Sequence, residues 1–369
     1  MKIAILSLPF NNNYGGYLQA YALQKTLESL GHKVEILNRR SAKINTKTHI
    51  QNVVMCMLRS IKHQCLYPLN TYKHKGKNML RFVRKYMHLS AILGCDEDLY
   101  DYCDRAHFDA IVVGSDQIWR PNYVPNVENY FLGFAEKDTI KISYAASFGS
   151  RDVVYDSLVA ERCGDMLKKF DGISLRENEG IEVFKRYQWH TSGIRVVLDP
   201  TMLLYPNDYM KLIKNNGYNK NYTNTVLAYV LDMDEKANKI LHKVSECKNM
   251  PIKHIIDPYK WKRVNNVMPG IEEWLLAFSS AGAIVTDSFH GTVFSILFHK
   301  PFVCIVNKSR GLDRFTTLLS HFNLLDRLVT DENSTSVEIY KPIDWTSVDM
   351  VLNKKRSESI NFLTQVLQH

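Results

Sequence analysis

Short apolar runs and longer helical patterns alternate along this chain, and each change of period marks an element. Lys2–Leu8 (KIAILSL) is an apolar run with the length of a buried strand. Asn11–Gly16 breaks it as a turn, and Tyr17–Leu30 continues with Leu18, Tyr21, Ala22, Leu27 and Leu30 at helical spacing. Gly31 ends that helix and Val34–Leu37 opens a second strand, completing a β-α-β unit of the doubly wound kind. Further strands are predicted at Phe108–Val113, Lys141–Ser147, Gly172–Leu175 and Arg195–Leu198, with helices over Asp156–Lys169 and up to about Arg186. The stretch 207–224 is rich in Asn, Lys and Tyr and poor in aliphatics, the composition of a linker. A second set of strands follows at Val226–Leu231, Ile252–Ile256, Ala283–Val285 and Pro301–Val306. Its helices are Glu235–Cys247, Ile271–Ser280 and Leu312–His321, and Asp349–Gln368 is a terminal helix. The pattern predicts an α/β chain of two Rossmann-like domains facing a cleft. The N-terminal domain takes 1–206, the linker 207–224, the C-terminal domain 225–345, and a C-terminal helix lies in 346–369.

One segment departs from this alternation. Residues 39–95 read as a basic helical insertion in the N-terminal domain, with helices expected at Asn52–Tyr67 and Asn78–Met87. Arg39 to Ser90 holds twelve Lys/Arg and no Asp or Glu; taking twelve from the chain's 47 leaves 35 against 38 acidic residues. The net charge of +9 therefore belongs to this segment. Such helices either lie on an anionic membrane surface or pack into a core with their basic faces solvated, the commoner arrangement. No nucleic-acid recognition motif accompanies the charge, so no nucleic-acid partner is expected. No apolar run approaches the ~20 residues of a membrane span, and no signal peptide is expected at the start. Seven cysteines, odd in number and without a C-x-x-C pair, point to free thiols in a reducing cytoplasm and against zinc or disulfides.

Ligands of doubly wound sheets bind beyond the carboxyl ends of the strands, so polar residues there are the candidates for chemistry. Four corners qualify: Asn13-Tyr14-Gly15-Gly16, Gly114-Ser115-Asp116-Gln117, Ser174–Glu177 and Asp287-Ser288-Phe289-His290-Gly291. At the last, the run Ala283–Val285 enters Thr-Asp-Ser, which are N-cap residue types, and then a helical pattern. A helix N-terminus presents free N–H groups and a positive dipole end to an anion. His290 can exchange a proton near neutral pH, and Gly291 would let a ligand approach the backbone. Each corner alone has an explanation in turn chemistry, and Asp287 is expected as the helix N-cap. Their coincidence at one edge of two sheets is what points to a site. The first strand–helix turn lacks G-x-G-x-x-G, so a dinucleotide fingerprint is not supported.

The stretch TDSFHGTVFSILFHKPFVCI resembles the S/T-D-R-x-H-G…K-P block of the polysaccharide pyruvyl transferase family, with Ser288 where the family usually has Arg. NNNYGGYLQAYALQKTL, VVGSDQIWRP, YAASFG, SLRENEG and VLDPTML resemble further blocks of that family, in the family's order. The resemblance implies a GT-B-like fold and transfer of pyruvate from phosphoenolpyruvate to a sugar, usually as a ketal bridging two hydroxyls. It implies a role in capsule or exopolysaccharide biosynthesis, no cofactor beyond phosphoenolpyruvate as co-substrate, and no metal. His290 is then the expected catalytic acid, and Asp116, with Asp287 behind it, the group that takes the acceptor proton. Arg176, Ser288, Phe289, His290, Gly291 and Thr292 are expected on the donor side. Asn13, Tyr14, Gly15, Gly16, Ser115 and Gln117 are expected around a saccharide acceptor, lipid-linked or nucleotide-activated. For the charge absent at Ser288, Lys308, Arg310 and Arg314 are the candidates. The expected place is the cytoplasm, peripheral at the inner membrane face through residues 39–90. The rival readings are a GT-B glycosyltransferase with a nucleotide-sugar donor and a non-catalytic saccharide-binding relative.

Overall fold

The computed structural model describes residues 1–40, 74–190, 192–214, 221–256, 267–306, 311–329 and 341–368. Its two apolar sets build two sheets in which every pairing is parallel. The first comprises β1 (Lys2–Leu6), β2 (Lys33–Arg39), β3 (Leu89–Leu93), β4 (Ala110–Asp116), β5 (Ile140–Ala146), β6 (Gly172–Leu175) and β7 (Arg195–Val196), in the order β3-β2-β1-β4-β5-β6-β7. The second comprises β8 (Val226–Tyr229), β9 (Ile252–His254), β10 (Ala283–Thr286), β11 (Phe302–Ile305) and β12 (Leu328–Val329), in the order β12-β11-β10-β8-β9. The strands are apolar throughout because helices cover both faces: all of β4, β8, β10 and β11 is buried. In the first sheet the order reverses between β1 and β4, where Ile3 lies opposite Ala110. In the second it reverses between β8 and β10, where Ala283 lies opposite Val226. A crevice opens beyond the strand ends at each such point.

The main helices are α1 (Tyr14–Ser29), α2 (Lys77–Tyr86), α3 (Asp96–Ala106), α4 (Ser157–Leu167), α5 (Gly180–Arg186), α6 (Pro206–Lys214), α7 (Glu235–Lys248), α8 (Ile271–Ser280), α9 (Phe289–Leu297), α10 (Asp313–His321) and α11 (Trp345–Leu367). Helix α1 begins at Tyr14 rather than Tyr17 because Asn13 caps it, its side chain accepting from the Gly15 N–H at 3.1 Å. The basic insertion is less separate than its charge suggests. Its end supplies the edge strand β3, tied to β2 by the Ser90 hydroxyl, which accepts from the Asn38 N–H. Helix α2 turns Met79, Phe82 and Val83 into the core and leaves Arg81, Arg84 and Lys85 exposed. The other helix expected there, Asn52–Tyr67, lies outside the described residues.

The stretch 207–224, expected as a linker, opens with the helix α6. Tyr209, Leu212 and Ile213 of α6 stand three and four residues apart, all buried, and the Tyr209 hydroxyl donates to the Thr201 carbonyl at 2.8 Å. Helix α11 spans both halves. Trp345 stacks on His299 at 4.9 Å near its start. Further along, the Ser359 hydroxyl accepts from the Leu198 N–H at 3.0 Å and Phe362 packs at 6.5 Å from Tyr144. The two sheets share one apolar core, in which Tyr14 stacks on Trp274 at 5.6 Å and Trp274 meets Phe294 edge-on. No helix among the described residues is long and apolar enough to cross a membrane.

Candidate functional site

The two crevices face one another across a cleft of about 610 Å³. Asn13, Gly16, Asp116 and Gln117 line it from the first half, and Ser288, Phe289 and His290 from the second. The corner after β10 is built by its own side chains. The Thr286 hydroxyl accepts from the Ser288 N–H at 3.1 Å and donates to the Tyr229 carbonyl at 2.8 Å. Ser288 is the N-cap of α9, its hydroxyl accepting from the Gly291 N–H. Asp287, expected in that role, instead accepts from the Leu231 and Asp232 N–H groups at 2.8 and 2.9 Å. It fastens the end of β10 to the loop after β8, which occupies the oxygens a proton acceptor would use. Gly291 serves packing rather than ligand access: a Cβ there would stand 2.3 Å from the Thr286 hydroxyl oxygen.

His290 lies in the first turn of α9, and the first turn of α1 meets it from the other half. A Cβ at Gly15 would fall 2.0 Å from His290 Nδ1 and 2.4 Å from its Cγ, so only glycine admits the ring. On its other side, His290 Nε2 stands 3.4 Å from Asp199 Oδ2. Asp199 is fully enclosed: its Oδ1 accepts from the Thr201 N–H and hydroxyl, at 3.0 and 2.6 Å.

A buried charge network lies behind this contact. Arg176 donates from Nη1 to Asp199 at 3.0 Å and from Nη2 to Asp116 at 3.1 Å, its Nε standing 3.9 Å from Glu177. Its guanidinium lies over the Phe289 ring at 4.4 Å. Burial raises the pKa of Asp116, but Arg176, then His290 and Arg314, more than offset it and hold the carboxyl below its usual range. Burial acts the same way on Asp199, and His290 and Arg176 overcome it to keep that carboxyl well below the usual range. Glu177 goes the other way: burial outweighs Arg176 and the hydrogen bond from the Phe148 N–H, and its pKa rises.

Several expected residues therefore stand behind the cleft wall rather than on it. Arg176 is sequestered by its carboxylates. Ser115 is fully buried and donates to the Ala145 carbonyl, and Tyr14 donates to the Pro269 carbonyl within the shared core. The Thr292 hydroxyl bonds the Ser288 carbonyl and Cys304. Of the three cations proposed for the charge missing at Ser288, Arg314 lines the cleft, while Lys308 and Arg310 lie outside the described residues. Asp199, the Asp of VLDPTML that follows the strand Arg195–Leu198, joins the site although it is not among the residues expected there. Tyr123 and Asp232, also on the wall, carried no such signal. Among the described residues no group of three or more His, Cys, Asp or Glu could hold a metal ion.

The family model Polysaccharide pyruvyl transferase matches residues 13–309, most of the chain, and the protein belongs to that family. No curated protein matches it in sequence. Among solved structures it is similar to UDP-GlcNAc 2-epimerase from Neisseria meningitidis bound to UDP-GlcNAc, with TM-score 0.55, 8% identity and 100% of both chains covered. UDP-GlcNAc 2-epimerase from Methanocaldococcus jannaschii aligns with TM-score 0.52 and 12% identity over 100% of this chain and 99% of that one. The similarity is one of fold, and the fold is of the GT-B type.

Proposed function

We propose that this member of the polysaccharide pyruvyl transferase family moves pyruvate from phosphoenolpyruvate onto a saccharide, closing a ketal across two hydroxyls. The observation that supports the reading most is the imidazole of His290 on the cleft wall, backed at 3.4 Å by a carboxylate held ionised. Asp199, itself fixed by Arg176 and Thr201, stands against the His290 ring and holds it at the cleft wall, the position a proton donor needs. His290 gives its proton to the methylene carbon of the enol, which becomes a methyl group, and cationic character develops on C2. An acceptor hydroxyl oxygen bonds to C2 and its proton passes to Asp116. The bond from C2 to the phosphate oxygen then breaks, phosphate leaving with the electron pair and taking the proton held by Asp116. The second hydroxyl closes on C2, and its proton restores His290.

The test is product analysis with phosphoenolpyruvate and a saccharide acceptor. Inorganic phosphate and a pyruvylated saccharide are expected. Release of a nucleoside diphosphate from a nucleotide sugar, with no phosphate from phosphoenolpyruvate, would make the protein a glycosyltransferase instead, and saccharide binding without turnover a non-catalytic relative. The reading places the protein in the cytoplasm, in surface polysaccharide biosynthesis. Residues 39–90 there meet an anionic membrane and a lipid-linked acceptor, α2 through the charge of Arg81, Arg84 and Lys85, since its apolar side is spent on the core. Vesicle co-sedimentation at low and high salt tests that contact; equal, salt-independent binding to neutral and anionic vesicles sinks it.

A further inference from the structure

Arg314, the second residue of α10, lines the cleft with 9% of its surface exposed. Its guanidinium lies 5.6 Å from the ring centre of Phe289 and 5.4 Å from that of Phe315. Arg176 approaches the same Phe289 ring, but Asp116 and Asp199 neutralise it at 3.1 and 3.0 Å. Arg314 has no such counter-charge. Its Nε is buried without a hydrogen bond, and among the described residues no carboxylate stands within ion-pair distance of it. Asp313, its neighbour in sequence, is taken across the domain junction by Arg151, Nη2 at 2.7 Å and the backbone N–H at 3.2 Å. Asp116 and Glu177 attract Arg314 from farther off; burial and then Arg176 prevail and bring its pKa to about 10, which leaves it charged at neutral pH.

A buried cation without a partner is expensive, and aromatic faces recover only part of the lost hydration. Ser288, on the same wall, brings a hydroxyl already engaged as a helix cap and no charge. The unpaired charge is therefore available to an anion entering the cleft. We infer that Arg314 is the cation of the donor subsite and holds an oxyanion of the donor, phosphate or carboxylate. The identity of the donor rests on the pyruvyl transfer proposed above; the preference for an anion does not.

The experiment measures binding of phosphoenolpyruvate, inorganic phosphate, pyruvate and a nucleoside diphosphate to the full chain and to its Arg314→Met and Arg314→Lys variants by calorimetry, with thermal unfolding alongside. Arg314→Met should weaken phosphoenolpyruvate binding about 30-fold or more, the scale of a desolvated charge pair. Its unfolding temperature should hold or rise, because an unpaired buried charge has been removed. Arg314→Lys should fall between, keeping the charge without the planar fork. Loss of phosphate binding in Arg314→Met assigns phosphate as the gripped group, and loss of pyruvate binding assigns the carboxylate. Should Arg314→Met fail to fold, the Arg314 Nε–H resonance, assigned through Arg314→Lys, should move as phosphoenolpyruvate is added to the unaltered protein, and an unmoved resonance overturns the inference. Unaltered phosphoenolpyruvate affinity in folded Arg314→Met also overturns it while leaving pyruvyl transfer standing. Binding of a nucleoside diphosphate that depends on Arg314, with no binding of phosphoenolpyruvate, does the reverse.

Discussion

Gly15→Ala is the sharpest perturbation of the proposed acid. In isolation the change favours helix α1 by roughly 1 kcal/mol, since alanine loses less backbone entropy than glycine. Here the added methyl would sit 2.0, 2.4 and 2.6 Å from Nδ1, Cγ and Cε1 of His290. Contact with Cγ, so near the backbone, cannot be relieved by bending the tip of the side chain. Either the ring rotates away from Asp199 or the junction of α1 and α9 widens. Overpacking of this kind costs about 1–3 kcal/mol, so the helix gain offsets much of it and net stability should fall by no more than about 2 kcal/mol. Activity should fall far more, by about 10²–10⁴-fold, the usual contribution of a positioned proton donor. Phosphate release under saturating donor and acceptor measures turnover, and thermal unfolding measures stability. A double-mutant cycle isolates the cause. His290→Gln alone should lose a similar factor, and adding Gly15→Ala to it should cost about twofold or less, because the group it displaces is already gone. Wild-type turnover in Gly15→Ala, or independent losses that multiply in the double variant, would refute the reasoning.

Asp116 and Asp199 have folded-state pKa values below their unfolded ones, so their stabilisation is complete above the ordinary carboxylate pKa and is lost as pH falls through the folded values. Acid unfolding should accordingly need less acid in Asp199→Asn, which at neutral pH should cost about 3 kcal/mol or more by leaving Arg176 half-paired; an unchanged acid midpoint by circular dichroism counts against the network. Glu177 has the opposite sign, since its folded pKa is raised and its stability contribution declines as pH rises through that window. Glu177→Gln keeps an acceptor for the Phe148 N–H and should leave stability at pH 7 unchanged or higher, while a loss above about 2 kcal/mol would show that the carboxylate is needed ionised. Ser288→Arg should tighten phosphoenolpyruvate binding by putting a second cation on the cleft wall, at about 1 kcal/mol of stability for the lost cap; calorimetry giving weaker binding would place the anion elsewhere.

Much of the architecture was legible because parallel strands covered on both faces are apolar without interruption, as at β4, β8 and β10. The elements not anticipated lack that signature. β3 is an edge strand with two exposed residues, Ala91 and Ile92, in the middle of its run. Helix α3 buries only Leu99 and Cys103 among acidic residues, and α6 hides its stripe in a stretch read by composition. Placement was legible at the strand ends: His290, Asp116, Gln117 and Asn13 all reach the cleft. Partnership was not. Nothing local in the sequence tells that Arg176 is shared by Asp116 and Asp199, or that Gly15 is vacant for a ring from the other half.

That shared pairing explains why the parts of the site occur in different halves of the chain. The N-terminal half contributes Arg176 between two carboxylates, a group balanced toward negative charge and unsuited by itself to an anion. The C-terminal half contributes the groups that reverse this. His290 comes against Asp199, Phe289 lies against the guanidinium of Arg176, and Arg314 arrives without a carboxylate of its own. Asp199 is the hinge of the arrangement, because one of its oxygens serves Arg176 and His290 together while Thr201 fixes the other. Drawing α9 away from α1 would therefore undo several things at once. The imidazole would lose the carboxylate beside it, Asp199 would lose one of the groups that hold its pKa down in a buried place, and Arg176 would lose its aromatic cover. The proposed proton donor and anion subsite therefore depend on the halves being joined, and the apolar core between the sheets is what holds them joined.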